Sequence, residues 1–118
     1  MMEKKNVILD KSFEFALAII EFSEELENKK KFVIAKQLLK SGTSIGANIK
    51  EAQSAESKAD FIHKLKIADK EADETEYWLL LCKAANSYPF EESLLLKLCE
   101  IQKLLTAIIS TSKQSLAH

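Results

Sequence analysis

A chain of 118 residues is enough for one domain and too short for two. Hydrophobic residues make up 47% and charged residues 30%, while Gly 2 and Pro 1 leave few tight turns, which excludes sandwiches, barrels and doubly wound sheets. A net charge of -1 gives no global field toward nucleic acid or a membrane. No apolar run approaches the ~18 residues of a membrane helix. The opening MMEKKNVILDKS lacks the apolar core of a signal peptide, and two cysteines are not a disulfide framework. The expectation is a cytoplasmic protein with reduced thiols.

The first helix is expected over about residues 11–28, with Asp10 or Ser12 as its cap. It carries two apolar stripes at helical spacing. Phe13, Ala16, Leu17 and Ile20 form one, and Phe15, Ile19, Phe22 and Leu26 the other. At ~100° per residue the stripes are adjacent and cover more than half the circumference, wider than a monomer's surface helix requires.

Lys29, Lys30 and Lys31 close that helix, and a second is expected over 32–52. Its inner stripe is Ile34, Leu38, Ile45, Ile49 and Ala52, with Ala35 and Gly42 beside it. Both glycines of the chain, Gly42 and Gly46, fall inside this helix, each at a cost of ~1 kcal/mol relative to Ala. They mark either a weakened, kinked helix or a point where a neighbouring helix crosses closely.

The third helix is expected over 58–86, opened by Ser57 with Asp60 in a capping-box-like pair. Phe61, Leu65, Ala68, Ala72, Thr75, Leu79 and Cys82 form a continuous stripe. Asn86-Ser87-Tyr88-Pro89 is the clearest stop in the sequence. The fourth helix is expected over 91–112, with Leu94, Leu98, Ile101, Leu105 and Ile108 inward and Leu95, Leu96, Leu104 and Ile109 around them. Short connections make successive helices antiparallel neighbours. The fold class is therefore all-α, a single up-down-up-down four-helix bundle over residues 1–118.

Catalysis needs polar groups converging on the inner stripes, and these are almost wholly apolar. His63 with Asp60 three residues before it is half of a carboxylate–histidine metal pair, but the second pair a di-iron bundle requires is missing, and His118 is the last residue. His63 is expected to face solvent. Cys82 and Cys99 read as small core residues. No phosphate loop, nucleophile elbow or metal-finger spacing occurs. The expectation is no enzymatic activity, no catalytic or metal-ligating residues and no cofactor.

In the acidic cluster Glu71, Asp73, Glu74 and Glu76, Glu76 lies nearest the inner stripe and needs a partner. Glu51 and Lys66 stand in similar positions. Structural ion pairs or helix-cap contacts are expected for them, alongside structural roles for Gly42 and Gly46.

Charge is segregated. Asp10 to Glu27 holds one lysine against six acids, and Lys29 to Lys70 holds ten lysines against four acids. A basic face for phosphates would draw first on Lys29, Lys30 and Lys31, at a helix end with little to pack against, and next on Lys36, Lys40 and Lys50. Against base-specific recognition, all 17 basic residues are Lys, whereas Arg supplies bidentate contacts and stacking.

The stretch from Gln37 to Leu79 resembles the family named for proteins encoded in intervening sequences of bacterial 23S ribosomal RNA genes. Gln37, Leu38, Ser44, Ile45, Asn48, Ile49 and Glu51 carry the first half of that likeness. Ser57, Phe61, Leu65, Ile67, Ala68, Glu76, Tyr77, Trp78 and Leu79 carry the second. The resemblance implies a four-helix bundle that assembles into rings, typically of five subunits, with no catalytic residues and no assigned molecular role. A related branch, the accessory protein of diversity-generating retroelements, binds a reverse transcriptase and nucleic acid through a surface more basic than this one.

The first expectation is thus a self-assembling homo-oligomer, a pentamer by the resemblance, acting as an interaction module with no membrane contact and a protein partner the sequence does not identify. The alternative is a nucleic-acid-associated accessory protein that holds RNA weakly and salt-sensitively through the lysine-rich face.

Overall fold

The computed structural model describes residues 6–117. Four helices account for the architecture: α1 (Val7–Asn28), α2 (Phe32–Ala52), α3 (Lys58–Ala84) and α4 (Glu92–Ala117). Each packs on its chain neighbour, and α1 closes the square on α4. Contacts between ends fit the up-down-up-down order. Asn6, at the start of α1, donates from Nδ2 to Gln53 Oε1 after α2 at 3.0 Å. Lys31, before α2, donates to Ser87 beyond α3, and Lys58, opening α3, donates to Ser115 near the end of α4.

Capping chemistry explains where the boundaries depart from expectation. α1 begins at Val7 rather than near residue 11, because Asn6 is its cap and its Oδ1 accepts from the Leu9 amide at 3.2 Å. Asp10 falls in the first turn, where the helix dipole favours an acid. Ser12 is not a cap: it is buried and donates to the Leu9 carbonyl. Ser57 caps α3 as expected by accepting from the Asp60 amide, while Asp60 accepts in return from the Glu56 amide. α3 stops at Ala84 instead of residue 86, since Ala85 is already extended. α4 starts one residue late and runs five residues past 112, through a polar stretch with no Gly or Pro to end it.

α1 ends in a Schellman turn: the Lys31 amide reaches the Leu26 carbonyl and the Lys30 amide that of Glu27, both at 2.8 Å. The left-handed position falls on Lys30, with φ 64, the one non-glycine residue of positive φ among those described. A side chain costs about 1–2 kcal/mol in that conformation.

The core is one cluster. The second stripe of α1 (Phe15, Ile19, Phe22, Leu26) is fully buried, as are Leu38, Ile45 and Ile49 of α2, Leu65, Ala68, Ala72 and Leu79 of α3, and Leu94, Leu98, Ile101 and Leu105 of α4. Ile34, Phe61 and Ile108 are half-buried at its edge. Cys82 is in the core; Cys99 is not, and sits exposed on the outer side of α4. One polar pair lies inside: the Thr75 hydroxyl donates to the Glu71 carbonyl at 2.7 Å and accepts from the Ser41 hydroxyl at 2.9 Å, joining α3 to α2.

The glycines mark a close crossing. A Cβ on Gly42 would lie 2.8 Å from Ile19 Cγ2, and one on Gly46 would lie 3.3 Å from the Ser12 carbonyl oxygen. On the far side of α1 an exposed ion pair adds to the apolar packing against α4. Lys11 Nζ meets Glu100 Oε2 at 2.7 Å, which draws the Glu100 carboxyl below the usual range and lifts Lys11 above its own.

Gly42→Ala should lower stability despite its better helix propensity, because overpacking costs ~1–3 kcal/mol against a propensity gain of ~1 kcal/mol. Gly46→Ala should lose less, and Lys50→Ala almost nothing; a higher thermal midpoint for Gly42→Ala would refute the close crossing. Lys30→Gly should raise the midpoint by several degrees, since relief of the left-handed strain exceeds the added chain entropy. Carboxyl NMR should show Glu100 titrating below 4.5, and Lys11→Met should return it there. The pair's contribution is therefore present above pH 4.5, is lost as pH falls through the depressed value, and is screened by salt.

Candidate functional site

The first apolar stripe of α1 does not enter the core. Phe13, Leu17 and Ile20 remain 65%, 49% and 38% exposed on the flank that faces α2. Their side of α2 contributes Leu39, Thr43, Gly46 and Ala47. Between the two helices runs a groove of about 480 Å³ floored by Leu9, Phe13, Ala16, Gly46 and Ala47. Asp10 stands on one rim and Lys50 on the other. The backbone creates the groove: small residues on α2 let α1 come close, so only short side chains fill the crevice outside the core. Large exposed apolar surface of this kind marks an interaction site.

At one end of the bundle, Phe32 and Val33 open α2 with 59% and 75% of their surface exposed. Sequence reading missed this feature. The signal was two large apolar residues outside the inner stripe at the first turn of a helix.

The predicted lysines divide. Lys29 and Lys30 are exposed, directly after the acidic end of α1 with Glu24, Glu25 and Glu27. Lys31 is not a free cation with little to pack against: its Nζ lies 4.8 Å from the centre of the Tyr88 ring and 3.2 Å from Ser87 Oγ. Lys36 and Lys50 border the apolar face. Lys40 lies toward α3, close enough to Glu71 to pull that carboxyl down, although burial and Glu74 outweigh it and raise Glu71 overall.

The structural acids also divide. Glu51 pairs with Lys64 of α3 at 3.5 Å, on the surface. Half-buried Glu76 has no ion pair among the described residues; it accepts from Gln102 of α4 at 3.5 Å. Lys66 is exposed instead of tucked against the stripe, and its neighbour is a second lysine, Lys113. Asp69 is raised, first by burial and then by Asp73. His63 faces solvent. Among the described residues no group of three His, Cys, Asp or Glu is placed to hold a metal ion, and no helix is long and apolar enough to cross a membrane.

The model of the 23S rRNA-intervening sequence proteins matches residues 4–107, nearly the whole bundle. The chain belongs to that family. A solved relative is similar throughout: a protein of unknown function from the S23 ribosomal protein family of Bacteroides thetaiotaomicron. It shares 54% identity, with 89% of this chain and 96% of that one covered and a TM-score of 0.84. No curated protein matches. Family membership brings the bundle with it, and the molecular role stays unassigned.

Proposed function

We propose that this intervening-sequence protein is a non-enzymatic, cytoplasmic interaction module that assembles with copies of itself through the α1–α2 face. The observation that carries the reading is Phe13, a large aromatic side chain left two-thirds exposed beside an apolar groove. A face with an apolar centre and a charged rim has the anatomy of a protein interface. The rim supports a second copy as the occupant. α1 brings Asp10, Glu21 and Glu24, and α2 brings Lys36 and Lys50, so apposed copies can match acid to base around the apolar centre. A ring of five is the number the family resemblance implies. The inner surfaces support the non-enzymatic part of the reading, since their buried polar side chains are Ser and Thr hydroxyls with no carboxylate, imidazole or ammonium among them.

The second reading, weak RNA binding through Lys29, Lys30 and Lys31 with Lys36, Lys40 and Lys50, draws on the exposure of Lys29 and Lys30 and on their repetition in an oligomer. It stands second because Lys31 is engaged by Tyr88 and because Lys36 and Lys50 border the face the first reading uses.

Native mass spectrometry at micromolar concentration should show an oligomer. Phe13→Glu with Leu17→Glu should reduce it to monomer with helicity unchanged, because both side chains are outside the core. Only monomer from the unaltered protein would overturn the reading.

A further inference from the structure

A second apolar face lies on α3. This helix packs on α2 and α4 but not on α1, so its outer side is remote from the α1–α2 groove. At helical spacing the earlier turns of that side carry His63, Lys66, Lys70, Asp73 and Glu74, all exposed. The last two turns carry Tyr77, Leu80, Leu81 and Ala84, which are exposed as well. Solvation alone calls for polar residues along an outer face, and here they give way to apolar ones within a single helix. Tyr77 is also held in place. Its ring meets that of Trp78 edge-on with centroids 5.3 Å apart, and Trp78 Nε1 donates to Glu74 Oε2 at 3.2 Å. A side chain already fixed loses little freedom on docking.

Tyr77, Leu80, Leu81 and Ala84 stand at i, i+3, i+4 and i+7, the spacing with which a helix sets its anchors into an apolar groove. The groove between α1 and α2 has the complementary relief, because Ala16, Gly46 and Ala47 leave room for larger side chains to enter. Charge agrees with shape. Asp73 and Glu74 lie one turn before the anchors, and Lys36 and Lys50 stand on the α2 side of the groove. A contact between two α1–α2 faces would cover the groove and leave the α3 face bare; a contact of groove with α3 covers both.

We propose that the α1–α2 groove of one copy receives the outer face of α3 from the next copy, with Tyr77, Leu80 and Leu81 seated beside Phe13 and with Asp73 and Glu74 toward the lysines of the α2 rim. The inference rests on the self-assembly reading and names what the groove meets. Because the two surfaces differ, the contact runs head to tail, and the two terminal copies of a chain keep a free groove and a free α3 face until a ring closes.

The test uses the full chain, with helicity checked by circular dichroism. Phe13→Glu with Leu17→Glu removes the groove side. Leu80→Glu with Leu81→Glu removes the α3 side, and Tyr77→Lys takes its place should the double change lower helicity. Native mass spectrometry and sedimentation, from micromolar concentration upward, should find each variant monomeric alone. An equimolar mixture should form a 1:1 pair and nothing larger, since one intact groove then meets one intact α3 face. Three results would overturn the contact while self-assembly stands: an α3 variant that reaches the mass of the unaltered assembly, an α3 variant that pairs with itself through its groove, or a mixture no more associated than its components. Only monomer from the unaltered protein would instead remove the self-assembly reading and this contact with it.

Discussion

The approach of α1 to α2 at Gly42 and Gly46 is the constraint on which the rest of the bundle depends. At Gly42 the neighbour is the Cγ2 methyl of Ile19, a residue in the centre of the core, and at Gly46 it is the backbone carbonyl of Ser12. Two helices that touch backbone to side chain along one line fix their own rotation. The inner stripe of α1 then has to be Phe15, Ile19, Phe22 and Leu26, and the outer one Phe13, Leu17 and Ile20. Each glycine forfeits ~1 kcal/mol of helix propensity, and the packing of Ile19 against a surface without side chains offsets it.

The same close approach produces the groove. A helix pair held apart by larger residues would have interleaved side chains and a filled outer crevice. Here the small residues of α2 leave a shallow trough, and Phe13 lines it, largely uncovered by the described residues. Core and candidate interface are thus two faces of one packing decision: what draws α1 inward also strands its second stripe outside. The far side shows the opposite solution. Between α1 and α4 the contact is looser and is made partly by Lys11 and Glu100, a surface pair that salt weakens.

Much of this was legible because four long helices with few breakers leave little freedom. Periodicity alone named the inner stripes, and the two-stripe pattern of α1 signalled more apolar surface than one bundle buries. The close crossing was one of two open readings of the glycines, and only the position of Ile19 decides between them. Other features depend on distances that no pattern encodes. Asn6 lay outside the periodic segment, so its capping role was hidden behind Asp10 and Ser12. Cys99 has the size of a core residue but sits on the outer side of α4. Lys31 looked unoccupied because its partners, Ser87 and Tyr88, are more than fifty positions away in sequence. Lys66 was read against its own helix, whereas its neighbour Lys113 belongs to another and falls outside the lysine-rich segment.

Charge segregation along the chain takes on a different meaning once the helices are assembled. The acidic stretch of α1 and the lysines that follow it are adjacent at one end of the bundle, so they moderate each other locally. Lysines bordering the α1–α2 groove have acids of α1 beside them, the arrangement of an interface rim. Between α3 and α4 Lys83 pairs with Glu92 at 3.3 Å, while acids of α3 turn toward α2, as Glu71 does, or toward α4, as Glu76 does. The net charge of -1 therefore reflects acids and lysines that the folded chain sets beside one another, around the apolar face and between α3 and α4 alike. Local imbalance, rather than overall charge, decides where an anion gains by binding, because beyond a Debye length of about 8 Å in physiological salt the acids elsewhere on the bundle no longer register.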